Sequence, residues 1–145
     1  MSIWWSLHLR REAASVPLAR RLLLGSMETA GVDPEISYDL AVALGEACAN
    51  AVEHGGAGGT PQGYRVTAYL DGERCRIEVA DSGPGFAHTR GSLPARPDAE
   101  HGRGLCLIRE LADHVHIGPE PGRRGTVVSF DKILKRCDDS PLPAV

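Results

Sequence analysis

The chain has no excess of positive charge. Its 16 lysine and arginine residues are outnumbered by 19 aspartate and glutamate residues, so its formal net charge is -3 and its pI is near 6.0. Sequence-independent binding to nucleic acid depends on clustered lysine and arginine that neutralise phosphates. This shortage excludes a nonspecific nucleic-acid binder. We expect a small molecule or a protein as the partner, with no direct contact to nucleic acid.

Close cysteine pairs and long apolar runs are also absent. The four cysteines, Cys48, Cys75, Cys106 and Cys137, form no CxxC pair, and the first three lie in apolar or periodic segments. This pattern favours buried, reduced thiols and a cytoplasmic location. The apolar run at residues 3–7 has no basic region before it and is soon interrupted by charged residues. It therefore predicts neither a signal peptide nor a membrane span.

The chain has no internal repeat, and its length fits one domain. With 145 residues, 42% of them hydrophobic, it has enough apolar material for one two-layer core. We expect this domain to cover residues 1–136. The proline-rich end, residues 137–145, is expected to form a tail without regular structure.

Periodicity and turn residues predict the order β, α, α, β, β, lid, α, β, β. Ser15 is suited to cap the first helix, while Asp33 is placed to cap the second and Pro34 to take its first position. The Asp71-Gly72 pair predicts a hairpin with a type I′ turn. The predicted segments are strands near 3–10, 64–70, 74–80, 115–117 and 126–130, helices near 15–31, 33–54 and 105–111, and a long loop over 81–101. Adjacent strands with intervening helices favour a mixed sheet with helices on one face.

Three polar residues recur at helical spacing in the second predicted helix. Glu46, Asn50 and His54 are spaced i, i+4 and i+8, so they form one stripe along the helix. A solvated helix edge would show the same spacing. The residue types favour a ligand site, because a carboxylate can act as a general base and an amide oxygen can bind a hard cation.

A second motif follows the predicted strand over 74–80. Asp81 is placed to accept a hydrogen bond from an exocyclic amine such as that of adenine, and Gly83 and Gly85 allow close approach of the backbone to a ligand. Phe86 ends this run. An acidic residue capping a surface turn is the structural alternative for this segment taken alone.

Two further segments complete the set of candidate residues. Gly102-Arg103-Gly104 opens the third predicted helix, followed by Leu105, so amides at that end could hold phosphate oxygens. Arg103 either contacts a phosphate or extends into solvent. Thr126 has a hydroxyl within reach of a base edge, although a lone strand threonine is usually structural. His114 and His116 alternate on a strand without an evident third metal ligand, which favours an exposed strand face.

These motifs, in this order, resemble the GHKL superfamily, the ATP-binding fold shared by histidine kinases, DNA gyrase, a heat-shock chaperone and the mismatch-repair protein MutL. Within it, the chain is most similar to anti-sigma-factor serine/threonine kinases, over residues 7–132. The resemblance implies an α/β (α+β) two-layer sandwich of the Bergerat type, with a mixed, mainly antiparallel sheet covered on one face by helices. A stand-alone domain of this length is expected to be a serine kinase rather than a histidine kinase.

The resemblance also implies roles for individual residues. Glu46 corresponds to the catalytic base, Asn50 to the Mg²⁺ ligand, and Asp81 to the residue that binds the adenine amine. His54 corresponds to a position with a phosphate-binding or structural role. The implied ATP-binding set is Asn50, His54, Asp81, Gly83, Gly85, Phe86, Gly102, Arg103, Gly104, Leu105 and Thr126.

Three functions follow from the resemblance. The first is a kinase that uses ATP and Mg²⁺ to phosphorylate a serine or threonine of an anti-sigma-factor antagonist and that sequesters a sigma factor, with a homodimer as one assembly. The second is a nucleotide-gated protein-binding module with little phosphoryl transfer. The third, weaker alternative is a detached catalytic domain of a two-component kinase. The presence of both Glu46 and Asn50 favours the first, because a pure binding module has less need of a base.

Overall fold

The computed structural model describes residues 2–54, 63–81, 100–119 and 125–134. The predicted order of elements is confirmed in these ranges. The elements are β1 (Ile3–Leu9), α1 (Ser15–Ala30), α2 (Pro34–His54), β2 (Tyr64–Leu70), β3 (Arg74–Asp81), α3 (Glu100–Leu111), β4 (His114–Pro119) and β5 (Thr126–Ile133).

The five strands form one sheet in the order β1-β2-β3-β5-β4. Each pair of neighbouring strands in the described residues is antiparallel. The predicted two-layer fold with a mainly antiparallel sheet is confirmed, whereas the expected mixed character is wrong for these strands. β5 returns beside β4 and inserts between β4 and β3. This insertion places the end of β3 next to the start of β5.

The helices cover one face of the sheet, and the core lies between the two layers. In β2 and β3 every second side chain is buried, as expected for strands with one covered face. α2 contacts α1, α3 and β3. Its apolar face is buried, as the helical spacing predicts. The largest fully buried side chains are Phe130, Leu23, Met27, Leu40, Leu44, Leu70, Ile77, Ile108 and Val66, with Cys48 and Cys75.

Ser15 does not cap α1, so that prediction is wrong. The N-cap position is Ala14, which makes no side-chain capping bond, and Ser15 is the first helical residue. The Ser15 hydroxyl instead donates to Glu12 O at 2.7 Å and lies 2.5 Å from the Tyr64 hydroxyl. The Ser15 hydroxyl therefore makes a tertiary hydrogen bond with Tyr64 and does not cap the helix. The predicted end of the helix is confirmed at Gly31, with φ 75°.

The hairpin between β2 and β3 is confirmed, but its predicted type I′ turn is wrong. The turn residues between the paired strands are Asp71 to Glu73, and Gly31 and Gly125 are the glycines with positive φ in the described ranges. The Asp71 carboxylate accepts bonds from the Glu73 and Arg74 amides at 2.8 and 3.0 Å. These bonds lower the pKa of Asp71. A side chain therefore closes the turn in place of the predicted backbone geometry.

The third helix is longer than its apolar residues predict. α3 begins at Glu100 rather than near Leu105, and β3 extends to Asp81. The rest of the predicted lid, residues 82–99, lies outside the described residues. No helix in the described residues is both long and apolar enough to cross a membrane. The expected tail at residues 137–145 lies outside the described residues.

Candidate functional site

α2 carries the first polar motif and starts from a capped turn. The Asp33 carboxylate accepts a bond from the Glu35 amide at 2.8 Å, and Pro34 is the first helical residue, as predicted. Such a cap satisfies one of the amides that lack intrahelical partners at a helix start. The helix then continues for 21 residues without interruption. Glu46 and Asn50 therefore lie in its second half, one turn apart.

Glu46 and Asn50 are both half-buried, beside the fully buried apolar face of α2. His54 is the last residue of α2, and its side chain lies outside the described part of the structure. A fully solvated helix edge does not fit the partial burial of Glu46 and Asn50. The two residues lie instead at the boundary between the helix layer and solvent, where a ligand can reach them.

Within the described residues, the side-chain amide of Asn50 has an unsatisfied hydrogen-bond donor, its nitrogen. Its Nδ2 atom is buried and has no hydrogen-bond partner among the residues that the structure describes. A buried polar group without a partner costs about 1–3 kcal/mol, and few occur in folded proteins. The nitrogen and oxygen of an amide exchange places by a half-turn of the side chain. The amide can therefore present an oxygen to a hard cation, so this residue fits a Mg²⁺ site.

Asp81 and Thr126 lie side by side at one end of the sheet. They are register partners between β3 and β5, and Tyr64 of β2 is the partner of Asp81 on its other side. Thr126 is 4% exposed and Tyr64 is 2% exposed. Because Asp81 shares its face of β3 with buried Val79, all three side chains belong to the helix-facing side. The structure thus places a carboxylate and a hydroxyl together between the layers.

The elements that carry the three motifs are neighbours. α2, with Glu46 and Asn50, packs against β3, which ends at Asp81, and against α3. Antiparallel pairing brings Thr126 to the same end of the sheet as Asp81. The fold therefore packs the elements that carry the candidate residues against one another, at what we call the junction of α2, α3 and β3.

Parts of the second and third motifs are not visible in this arrangement. Gly83, Gly85 and Phe86 lie outside the described residues. The segment from Gly102 to Gly104 belongs to α3, and nothing beyond its helical backbone is described. The prediction that these glycines open the helix is corrected, because α3 begins two residues earlier, at Glu100. Leu105 is half-buried and packs against the core, so its described contacts are apolar.

Tyr64, the register partner of Asp81, belongs to a buried polar cluster. The Tyr64 hydroxyl contacts both Ser15 and Cys48. Burial raises the pKa of Cys48 to about 12, partly offset by the bond from Tyr64 and the charge of Arg20. Burial also raises the pKa of Tyr64, against the smaller effect of its bond to Ser15. The thiol is therefore protonated and unreactive at neutral pH, and the cluster joins α1, α2 and β2.

The two strand histidines lie away from this junction. His114 Nδ1 is 2.9 Å from Asp131 Oδ1, and His116 is exposed. Within the four described ranges, no three metal-ligating side chains come together. His114 and His116 therefore belong to an exposed strand face, as their alternation suggests.

The sequence did not predict the contact that Arg11 makes with the end of α2. Arg11, in the connection between β1 and α1, donates from Nη2 to Val52 O at 2.9 Å and from Nε to Ala51 O at 3.4 Å. In the sequence it is one of two adjacent arginines after a strand, a pattern that usually marks an exposed loop. Its contact with the last turn of α2 depends on how distant segments pack, so local spacing could not reveal it.

The antiparallel sheet, its single helical layer and the junction of the motifs define a histidine kinase-like ATPase domain. A family model described in these words matches residues 9–132, and the chain belongs to this family.

The sequence is also similar to serine-protein kinases named RsbW. The protein of Bacillus pumilus is 32% identical over 137 residues, covering 83% of this chain and 80% of the relative. That of Staphylococcus aureus is 30% identical over 135 residues, covering 86% and 82%. The predicted relationship to anti-sigma-factor serine kinases is confirmed at the level of the family.

Solved structures support the fold. The RsbU and RsbW domains of Rv1364c from Mycobacterium tuberculosis match with a TM-score of 0.68 and 23% identity, over 92% of this chain and 33% of that chain. The SiaB-SiaC complex from Pseudomonas aeruginosa contains a match with a TM-score of 0.63 and 12% identity, over 89% of both chains. At these identities the likeness concerns the fold alone.

Proposed function

We propose that this protein is an ATP-dependent serine/threonine kinase of the anti-sigma-factor type. It binds ATP with Mg²⁺, phosphorylates a serine or threonine of an antagonist protein, and sequesters a sigma factor. The observation that carries this proposal is the pairing of Asp81 with Thr126 at one end of the sheet, on a strand, β3, that packs against α2. This pairing supplies a carboxylate and a hydroxyl that can bind the edge of a nucleotide base.

Asp81 and Thr126 form the adenine end of the proposed site. The Asp81 carboxylate accepts a hydrogen bond from the exocyclic amine of adenine, which a guanine base cannot supply at that position. The Thr126 hydroxyl adds a bond directly or through water. Gly83, Gly85 and Phe86 complete this end in the proposal, which for these three rests on the family relationship.

Asn50 belongs to the phosphate end, where its amide, whose Nδ2 atom is buried and has no partner in the described part of the chain, would hold the cation. When bound, Mg²⁺ neutralises phosphate charge that develops during transfer. Gly102, Arg103, Gly104 and His54 belong to this phosphate end in the proposal, which for these four residues rests on the family relationship. The half-buried position of Asn50 limits the water around it, which strengthens electrostatic contacts.

Glu46 acts on the acceptor hydroxyl in this proposal. The serine oxygen forms a bond to the γ-phosphorus as the bond between that phosphorus and the oxygen of ADP breaks. The hydroxyl proton passes to the Glu46 carboxylate, which lies one helical turn before Asn50. Positioning and charge neutralisation supply most of the rate enhancement in such transfers.

The proposed setting is a cytoplasmic protein assembly. The similarity to RsbW kinases supports an antagonist as a protein partner. The proposal adds a sigma factor as a second partner and a homodimer as one assembly of this chain. The matched chain comes from a structure of the SiaB-SiaC complex, so this fold occurs in a complex between two proteins. We place the functional domain at residues 1–136, which contain the matched range 9–132.

Mass spectrometry of candidate antagonists after incubation with Mg-ATP tests the proposal directly. We expect one phosphorylated serine or threonine with the wild-type protein and none when EDTA replaces Mg²⁺. A partner that binds tightly and responds to nucleotide without being phosphorylated would instead identify a nucleotide-gated binding module. Phosphorylation of a partner histidine would identify a detached two-component kinase domain.

A further inference from the structure

The guanidinium group of Arg11 binds the C-terminal end of α2. Nη2 donates to Val52 O at 2.9 Å, and Nε donates to Ala51 O at 3.4 Å. The side chain is half-buried and reaches α2 from the connection between β1 and α1. It is thus the tertiary contact of this connection with the turn that follows Asn50.

These two carbonyls belong to the part of a helix that most needs external partners. The last four carbonyl groups of an α-helix have no amide within the helix to bind. A positive charge at this end is also favoured by the helix dipole, and the planar guanidinium group offers several donors in a fixed geometry. Ala51 and Val52 directly follow Asn50. Arg11 therefore restrains the backbone of the turn that carries the Asn50 amide.

The same connection also restrains the start of β2. Ser15, at its far end, lies 2.5 Å from the hydroxyl of Tyr64. A Cβ atom added to Gly63 would clash with Leu9 O, so the backbone just before β2 lies in close contact with the end of β1. Tyr64 is in turn the register partner of Asp81. Residues 9–15 thus contact both the turn with Asn50 and the strand beside Asp81.

We propose that Arg11 is a positioning residue for the divalent cation of this protein. It holds the last turn of α2 so that Asn50 presents its amide oxygen to the cation, and it makes no contact with the nucleotide itself. This inference rests on the proposed function, because it takes the cation to accompany ATP. The Asn50 Nδ2 atom, buried and without a hydrogen-bond partner among the described residues, is the independent sign that this turn is built for a ligand.

Calorimetry of ATP binding with Mg²⁺ and with EDTA tests this role in the full chain. The dissociation constant of ATP in EDTA, divided by its dissociation constant with Mg²⁺, measures how much the cation strengthens ATP binding. We expect Arg11→Met to lower this ratio by at least about tenfold, the usual effect of losing a residue that supports a metal ligand. Metal-free ATP affinity should stay within about twofold of wild type, because loss of the Asn50 geometry leaves the adenine end intact.

Arg10→Met is the matched control. Arg10 is adjacent in sequence, but its side chain is 89% exposed and its ion pair with Glu12 is long, at 4.0 Å. This variant should keep the wild-type ratio. Arg11→Lys keeps the charge with fewer donors and should give an intermediate ratio. If Arg11→Met does not fold, an unchanged ratio in Arg11→Lys overturns the inference.

Hydrogen exchange of the nucleotide-free protein gives a second readout. Amides in the last turns of α2 should exchange faster in Arg11→Met than in Arg10→Met. A wild-type Mg²⁺ ratio in Arg11→Met would overturn the positioning role while leaving the proposed function in place. If the wild-type protein itself shows no Mg²⁺-dependent ATP binding, the proposed function fails, and this inference falls with it.

Discussion

Asp81 and Thr126 are cross-strand partners, although α3 and β4 both lie between them in the chain. Their contact exists because β5 inserts between β3 and β4. Neighbouring residues on adjacent strands have Cβ atoms about 4.5–5.5 Å apart. A carboxylate and a hydroxyl are thus held close together by the sheet itself, beside the end of a strand, which makes them a preformed polar site.

Replacing Asp81 by asparagine should weaken ATP binding by about tenfold to a hundredfold, because hydrogen bonds to charged groups contribute about 1.5–3 kcal/mol. Thr126→Val removes only a neutral hydroxyl and should weaken binding about fivefold. Calorimetry measures both effects.

Thr126→Ser retains the hydroxyl and is the control for the valine variant. Since Asp81 and Thr126 are neighbours, the double variant should lose less affinity than the sum of the single losses. Wild-type affinity in Asp81→Asn would rule out the adenine assignment.

Replacing Glu46 by alanine should preserve ATP binding and slow phosphoryl transfer by about a hundredfold or more, the usual contribution of a positioned general base. Glu46→Gln is a closer match in shape and should show the same loss. Single-turnover transfer to the partner, measured beside calorimetric ATP affinity, separates the two steps. An undiminished transfer rate would show that another group accepts the proton.

Replacing Asn50 by leucine should stabilise the nucleotide-free protein while removing its response to Mg²⁺. The buried amide nitrogen has no partner in the described residues, so an apolar side chain of similar size removes a penalty of about 1 kcal/mol. Urea unfolding measures this gain, and calorimetry measures the cation response. Asn50→Asp keeps an oxygen ligand and should keep that response. Lower stability of the leucine variant would indicate that the amide has a structural partner.

A glycine inside α1 and the glycine that caps its C-terminal end should respond in opposite ways to replacement by alanine. A Cβ at Gly25 meets no atom within 4 Å, so Gly25→Ala should stabilise the exposed helix interior by about 0.5–1 kcal/mol. Gly31 has φ 75° at the C-cap, and Gly31→Ala should destabilise the protein by about 1 kcal/mol. Thermal unfolding shows whether each variant raises or lowers Tm. Equal changes in Tm would contradict a helical backbone at Gly25 and a left-handed backbone at Gly31.

Stability should fall in alkaline solution because two thiols are buried. Burial raises the pKa of Cys48 and of Cys75 from 9.0 to about 12, with nearby Asp131 and Asp71 adding to the effect at Cys75. Unfolded thiols lose protons above pH 9.0, while the folded thiols keep theirs. Their contribution is therefore complete below that pH and is lost as the pH rises toward about 12.

The loss should reach at most about 1.4 kcal/mol per pH unit for each thiol. Urea unfolding at increasing pH gives the slope, and Cys75→Ala should reduce it. The exposed Cys106 should react with iodoacetamide in the folded protein well before Cys48 or Cys75. A slope unchanged by Cys75→Ala would assign the alkaline loss to other groups.

Local patterns were sufficient for most of the fold. The alternation in β1 predicted its half-buried face, and the cap at Asp33 predicted the start of α2, because both depend on contacts within a few residues. Ser15 shows the limit of such reasoning. Its hydroxyl suits a helix cap, but Tyr64 from a distant strand lies beside it in the structure. The turn at Asp71 differs for a related reason, since a side-chain acceptor replaced the expected backbone conformation.

The sequence by itself determined the family and the residue types of the candidate site, with Glu46 and Asn50 one helical turn apart. Helical spacing suffices for this pair because both residues belong to one element. Only the tertiary structure decided that Asp81 lies beside Thr126 and that Arg11 bonds to the turn after Asn50. It also decided that Asn50 Nδ2 is buried with no partner among the residues described. These relationships depend on strand order and on packing between distant segments, and no local periodicity encodes either one.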